Sequence, residues 1–411
     1  MQTSCLFSNL RVLRWNSPYI IGIPIIYIQR LLSPTLVSLE ATLTEGDGAT
    51  LLSFLDNYPL LCRNLRSIEL RFSAGTLSDT TTQALSRAIC RQEILESIVL
   101  HIAIDEITLK HLATMPTLKT LSVTLSERSR PRKVAFLPTD PIFRSAEFLE
   151  FSVWDLELVT TLLRPHDQIF HTFRLYHHGR QTSEAVLGFL SVLASRSRTS
   201  PLQEITLSFW DASHPIPADQ MAVEAIRYRL SYKTLQPLMI LWSLRELMIE
   251  WSDQVSLDDE ELANLARSWP SLQVFYIYCG RGGYAPFSTK YITLRGLVWL
   301  VNSCLELHTV GLPLDARQVP VINETDARET HFACLIVPES PIDKVLPVAE
   351  FLFQYLPCVT ALDARFLRPP GTDVSQIIAY ERAWQQVEKR LGELHNPSFD
   401  SVGPDSDGSA D

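Results

Sequence analysis

Cysteine is scarce and unpatterned in this chain: seven residues in 411, an odd number, with no C-x-x-C pair. Such spacing gives neither a disulfide framework nor a zinc-binding set. Cys90, Cys304 and Cys334 stand in apolar stretches, where a thiol acts as a small hydrophobe, so a reducing compartment, cytoplasmic or nuclear, fits best. Basic charge is also short, with 36 Lys and Arg against 46 Asp and Glu and a net charge of −10. That argues against a general phosphate-backbone binder, so nucleic acid is not an expected partner. Long hydrophobic runs are missing. The most apolar stretch, Tyr19 to Ile28, is only ten residues, holds Gly22 and Pro24, and is too short to span a bilayer. It reads as a buried segment leading to a short helix around Tyr27–Leu32. No charged n-region precedes a long apolar run, so no signal peptide is read and no membrane partner is expected.

Catalytic signatures are missing as well. There is no G-x-S-x-G, no H-E-x-x-H and no nucleophile with a local base. Cys279-Gly280-Arg281-Gly282-Gly283 has the glycine content of a phosphate cradle but lacks the Walker Lys-Ser/Thr, and the next helix begins only near Thr293. It reads as a loop. His171, His177 and His178 cluster without Cys, Asp or Glu at supporting spacing, and His177 falls on a core-facing position. Arg128 to Lys133, with four basic residues in six, reads as a solvated loop between repeats. The Asn323-Glu324-Thr325 sequon means little without secretion. We assign no catalytic residue, no cofactor and no metal, and expect a non-enzymatic protein.

What the chain does have is a repeat. Glycine is held to 15 residues and hydrophobic residues reach 46%, enough for a large ordered core. The pattern L-x-x-L-x-L of NLRVLRW (Leu10, Leu13, Trp15) recurs in CRNLRSIELRF, QEILESIVLHI, MPTLKTLSVTL, SPLQEITLSFW, WSLRELMIEW and WPSLQVFYIYC, with weaker copies between. The second anchor of each copy falls at residues 13, 39, 68, 98, 121, 149, 173, 205, 247, 275, 310, 335 and 362. Twelve steps cover 349 residues, a mean of about 29, at the upper end of the leucine-rich-repeat range.

Each anchor carries the period-2 alternation of a strand with one buried face. Between anchors the period becomes helical. Asp79 to Cys90 puts Ala84, Leu85, Ala88 and Ile89 on one face. Ser256-Leu257-Asp258-Asp259 resembles a capping box opening a helix with Leu262, Leu265 and Ala266, and Thr293 caps another with Leu294, Leu297 and Leu300 buried. In MPTLKTL, WPSLQVF, LPCVTAL and SPTLVSL a proline two residues before the first anchor marks the exit from helix to strand. The expected fold is an α/β leucine-rich-repeat solenoid over residues 7–392: a horseshoe of about thirteen irregular repeats, with a parallel sheet on the concave face and helices on the convex face. Residues 396–411, rich in Asp and poor in apolar residues, read as a disordered tail.

Strand residues between the anchors point away from the core. They include Glu69, Arg71 and His101 early in the array, then Glu150, Arg174, Tyr176 and Trp210, and finally Glu246, Met248, Glu250, Tyr276 and Tyr278. The later nine mix aromatics with acids and form a candidate protein-binding strip.

The order of features resembles the repeat region of fungal (basidiomycete) F-box/leucine-rich-repeat proteins. The likeness is carried by NLRVLRW followed by LLSPTLVSLEATL, by ITLKHLATMPTLKTLSV, by Tyr291–Leu312 and by Glu339–Leu362. It implies a recognition scaffold that holds a protein substrate for a cullin ubiquitin ligase, with the F-box docking on the Skp adaptor. No F-box-like segment is recognised before Leu10, which only nine residues precede, so assembly with the adaptor requires an F-box upstream. The Asn or Cys often found after the strand in that family is mostly missing here. The alternative is a stand-alone leucine-rich-repeat interaction module with no ubiquitin role.

Overall fold

A computed structural model describes residues 7–15, 25–43, 48–72, 77–125, 142–164, 170–196, 201–210, 226–279, 290–322, 331–338, 340–364 and 374–396. Among them, thirteen parallel strands are hydrogen-bonded in chain order. They are β1 (Val12–Trp15), β2 (Ser38–Leu43), β3 (Ser67–Phe72), β4 (Ser97–Ile104), β5 (Thr120–Leu125), β6 (Phe148–Val153), β7 (Thr172–His178), β8 (Glu204–Trp210), β9 (Glu246–Trp251), β10 (Val274–Cys279), β11 (Thr309–Gly311), β12 (Cys334–Ile336) and β13 (Ala361–Asp363). The helices between them include α1 (Ile25–Leu31), α2 (Gly48–Leu61), α3 (Asp79–Cys90), α4 (Glu106–Thr114) and α5 (Leu156–Leu163). Further on come α6 (Ser183–Arg196), α7 (Tyr232–Leu235), α8 (Asp259–Ala266), α9 (Leu294–Ser303), α10 (Val345–Tyr355) and α11 (Val374–His395). This is the α/β leucine-rich-repeat architecture that the anchor spacing implies. The Arg128–Lys133 run, the Gly280–Gly283 loop, the Asn323 sequon and residues 397–411 lie outside the described residues.

The chain divides into two compact units: residues 1–179 with 188–208, and residues 180–187 with 209–411. In the first, the anchors form one ladder, Leu13–Leu39–Ile68–Ile98–Leu121–Leu149–Phe173, each opposite the next. In the second, Leu247–Phe275–Val310–Leu335–Leu362 does the same. All of these side chains are buried, as one-faced strands stacked in register require.

A recurring backbone motif keeps the register. The Arg11 carbonyl accepts the N–H groups of both Val37 and Ser38, Arg66 accepts from Glu96 and Ser97, and Arg245 accepts from Gln273 and Val274. In each of these pairs one acceptor just before a strand serves two donors of the next repeat, so the entrance to the next strand is paired.

The starts of α3, α4, α5, α8 and α9 are capped by side chains. Asp105 accepts from the Thr108 N–H at 2.8 Å and also from Ser86 Oγ of α3 at 3.0 Å, tying one repeat to the next. Thr293 caps α9, accepting from the Arg295 N–H. The capping box expected at Ser256–Asp259 is displaced by two residues: Asp258 is the cap and Glu261 its reciprocal partner. Ser256 is instead buried in a two-residue strand paired with Ser231. Asp259 turns outward from its own helix and accepts from Thr293 N–H and Oγ1, both at 2.7 Å. Two adjacent helix starts are thereby coupled. The short helix expected around Tyr27–Leu32 begins two residues earlier, at Ile25.

The core changes character between units. The first holds a phenylalanine chain, with Phe151 6.1 Å from Phe143 and 6.3 Å from Phe173, and Phe173 5.9 Å from Phe189. The second uses tryptophans whose indole N–H groups are satisfied by carbonyls: Trp251 to Tyr228, Trp269 to Leu238 and Trp384 to Ser340, at 2.7–3.0 Å. A buried indole without such a partner would forfeit part of its packing gain. Cys304 is fully buried, and burial pushes its thiol up to about 12, consistent with a packing role. No helix of the described residues is long and apolar enough to cross a membrane.

Candidate functional site

The face of the sheet opposite the anchors is where the polar and aromatic strand residues collect. In the first unit its charges are answered internally. Arg14 lies 3.4 Å from Glu40, and Arg71 pairs with Glu69 two residues away on β3. Ser122, Glu150 and Arg174 stand opposite one another on β5, β6 and β7. Ser122 Oγ donates to Glu150 Oε1 at 2.6 Å, and Arg174 Nη1 lies 3.9 Å from Oε2. The Arg174 guanidinium also sits 5.2 Å from the Phe148 ring centroid, and its Nε has no acceptor among the described residues. Tyr176 is half-buried opposite Ser152, and His101 is exposed.

The histidine group separates by strand alternation. His177 faces the core, 1% exposed, with Nδ1 at 2.9 Å from the Gly179 carbonyl. Burial holds its pKa below the ordinary histidine value, against the opposing pull of the Gly179 and Trp154 backbone groups. His178 points to the open face, with Nε2 2.6 Å from Ser152 Oγ and its ring 5.2 Å from that of Trp154; burial lowers its pKa too. His171 is turned to the Pro201 carbonyl. The three rings face different partners, and among the described residues no group of three or more His, Cys, Asp or Glu is placed to hold a metal ion.

In the second unit, Glu246, Met248 and Glu250 alternate along β9, all half-buried on the open face. Met248 stands opposite Tyr276, and Glu250 opposite Tyr278. The two tyrosine rings are nearly parallel, 12° apart with centroids at 6.2 Å. Tyr276 is half-buried, but Tyr278 is only 7% exposed, a correction to its expected place on the accessible strip. Alternation along a strand tells which way a side chain points, not how deeply its neighbours cover it. Trp210 ends β8, and its side chain lies outside the described residues.

Sequence reasoning missed two features of this unit. Gly311 on β11, opposite Tyr276, leaves the space that the Tyr276 ring occupies. Near the end of β9, Arg180 donates to Asp253 through Nε (3.0 Å) and Nη2 (2.6 Å), while its guanidinium carbon lies 3.7 Å from the Tyr228 ring centroid. Arg180 and Asp253 are 73 residues apart in sequence, and no local pattern signals their pairing.

No protein-family model matches the chain, and no curated protein matches it. Among solved structures, the chain is similar to one described as the crystal structure of the Rad7 and Elc1 complex in yeast. The identity is 10% and the TM-score 0.40, over 84% of this chain and 81% of that one.

Proposed function

We propose that this protein is a non-catalytic recognition scaffold that presents the open face of its parallel sheet to a protein partner. The observation that carries the reading is the face itself. Side chains at alternate strand positions, carried on a hydrogen-bonded ladder, display Glu150, Arg174 and Tyr176 in the first unit and Glu246, Met248, Glu250 and Tyr276 in the second. A rigid sheet holds such groups at low entropic cost on binding, and Tyr, Arg and Met are typical anchors of protein interfaces.

The finer reading is a substrate receptor of a cullin ubiquitin ligase. Its support is the resemblance of Tyr291–Leu312 and Glu339–Leu362 to the repeats of fungal F-box proteins. Ligation chemistry would then belong to the partners, with the Skp adaptor engaged by an F-box. The test is affinity purification from cells with quantitative mass spectrometry, comparing the wild type, Tyr276→Ala on the open face and Arg295→Ala on the exposed side of α9. A partner lost with Tyr276→Ala and kept with Arg295→Ala supports the scaffold. Recovery of the Skp adaptor with the wild type supports the ligase reading, and a partner set without adaptor or cullin favours the stand-alone module.

A further inference from the structure

The two units treat carboxylates on the open face differently. In the first, Glu40, Glu69 and Glu150 each have an arginine within 4 Å. In the second, no Lys or Arg occupies an open-face position of β9 to β13. Glu246 and Glu250 make no side-chain hydrogen bond or ion pair with any described residue. They flank Met248, and a step of four residues along the strand sets them roughly 13 Å apart. Beside them the Tyr276 ring is seated over Gly311, with Tyr278 next to it.

Two half-buried, unanswered carboxylates beside an aromatic ring and a thioether form a surface of defined chemistry. The carboxylates favour cations, the ring face adds cation–π attraction, and Met248 with the ring accepts the aliphatic stems of Lys or Arg. We propose that this face of the second unit binds a basic polypeptide segment, with Glu246 and Glu250 each taking a Lys or Arg side chain and Met248 and Tyr276 taking the apolar group between. An extended segment with basic residues four apart matches the spacing of the two glutamates. The assignment rests on the reading that the open face recognises protein, and adds the class of partner.

Fluorescence anisotropy with the full chain tests it. One labelled probe peptide carries Arg, Leu and Arg at alternate positions; the control carries Glu, Leu and Glu. The basic probe is expected to bind about tenfold or more tighter than the acidic one, with affinity falling as salt rises. Glu246→Gln with Glu250→Gln is expected to weaken the basic probe by about tenfold, the effect of two half-exposed ion pairs. Equal binding of the two probes by the wild type, which needs no variant to fold, overturns the assignment. So does an unchanged affinity in the double variant, or no binding of the basic probe. If both probes bind equally and Tyr276→Ala weakens both, the face recognises peptide without charge selection, and only the basic-partner assignment fails. If neither binds, and partner recovery from cells is insensitive to Tyr276→Ala, the scaffold reading fails with it.

Discussion

The ring of Tyr276 lies directly over Gly311, so closely that a methyl group on that glycine would sit 2.0 Å from Tyr276 Cδ2. The two residues are opposite each other on β10 and β11. Gly311→Ala must push the ring off the sheet, and overpacking of this kind costs about 1–3 kcal/mol. Urea unfolding should show that loss. Combining Gly311→Ala with Tyr276→Ala should recover part of it, because the clash disappears with the ring. Strict additivity of the two substitutions would mean the ring does not depend on the glycine.

A second close approach couples two helices. A Cβ on Gly296 would lie 2.3 Å from Asp259 Oδ1 and 3.2 Å from the Asp259 Cα. Asp259 is the acceptor for both Thr293 donors at the start of α9. Gly296→Ala should therefore displace the carboxylate and cost about 1–3 kcal/mol, although alanine is the better helix former. Asp259→Ala should cost about 1 kcal/mol through the lost bonds to Thr293. Thermal unfolding of both variants checks the order; a stabilised Gly296→Ala would contradict the packing described.

The Arg180–Asp253 pair is mostly covered, with side chains 17% and 12% exposed. Ser252 Oγ also donates to Asp253, at 3.1 Å. Removing one partner leaves a largely buried charge, so Asp253→Ala should cost roughly 3 kcal/mol. Arg180→Lys keeps the charge but loses the two-pronged geometry and the flat contact with Tyr228, and should recover less than half of that loss. Denaturant midpoints of the two variants against the wild type make the comparison.

Stability should fall in mild acid because of His177 and His178. Both have folded pKa values below the unfolded value of 6.5, chiefly through burial. Below 6.5 the unfolded chain takes up protons that the folded one refuses, so their contribution is intact above pH 6.5 and is lost as pH drops through the folded values. Urea midpoints should hold between pH 8 and about pH 6.5 and decline from there toward pH 5. His177→Gln should flatten the decline, and an unaltered profile in this variant would rule out His177 as its source.

Much of the fold was legible because two periods coincide in the chain. All thirteen anchor positions, from Leu13 to Leu362, fall within the thirteen strands, since alternation of two and a step near 29 together admit little else. Asp79–Cys90 is helical over the span expected from its apolar face. The side on which Glu246, Met248 and Tyr276 stand follows from the same alternation. Depth did not: Tyr276 and Tyr278 share one phase, yet Tyr278 is nearly covered and Tyr276 is not. Tyr278→Ala should consequently reduce stability by about 3 kcal/mol or more, and Tyr276→Ala by less. Contacts set by tertiary proximity left no local signal. Gly311 sits in a three-residue strand without a turn to mark it, and Asp258 takes the cap because Ser256 is drawn into a pair with Ser231.

The most direct test of the scaffold is where a partner touches. A photo-reactive phenylalanine analogue placed at Met248 on the open face, and in a separate protein at Arg295 on α9, should give different outcomes on irradiation in cells. A discrete protein adduct is expected from position 248 and none of the same mass from position 295. Adducts from 295 alone, or identical adducts from both, would contradict recognition by the open face.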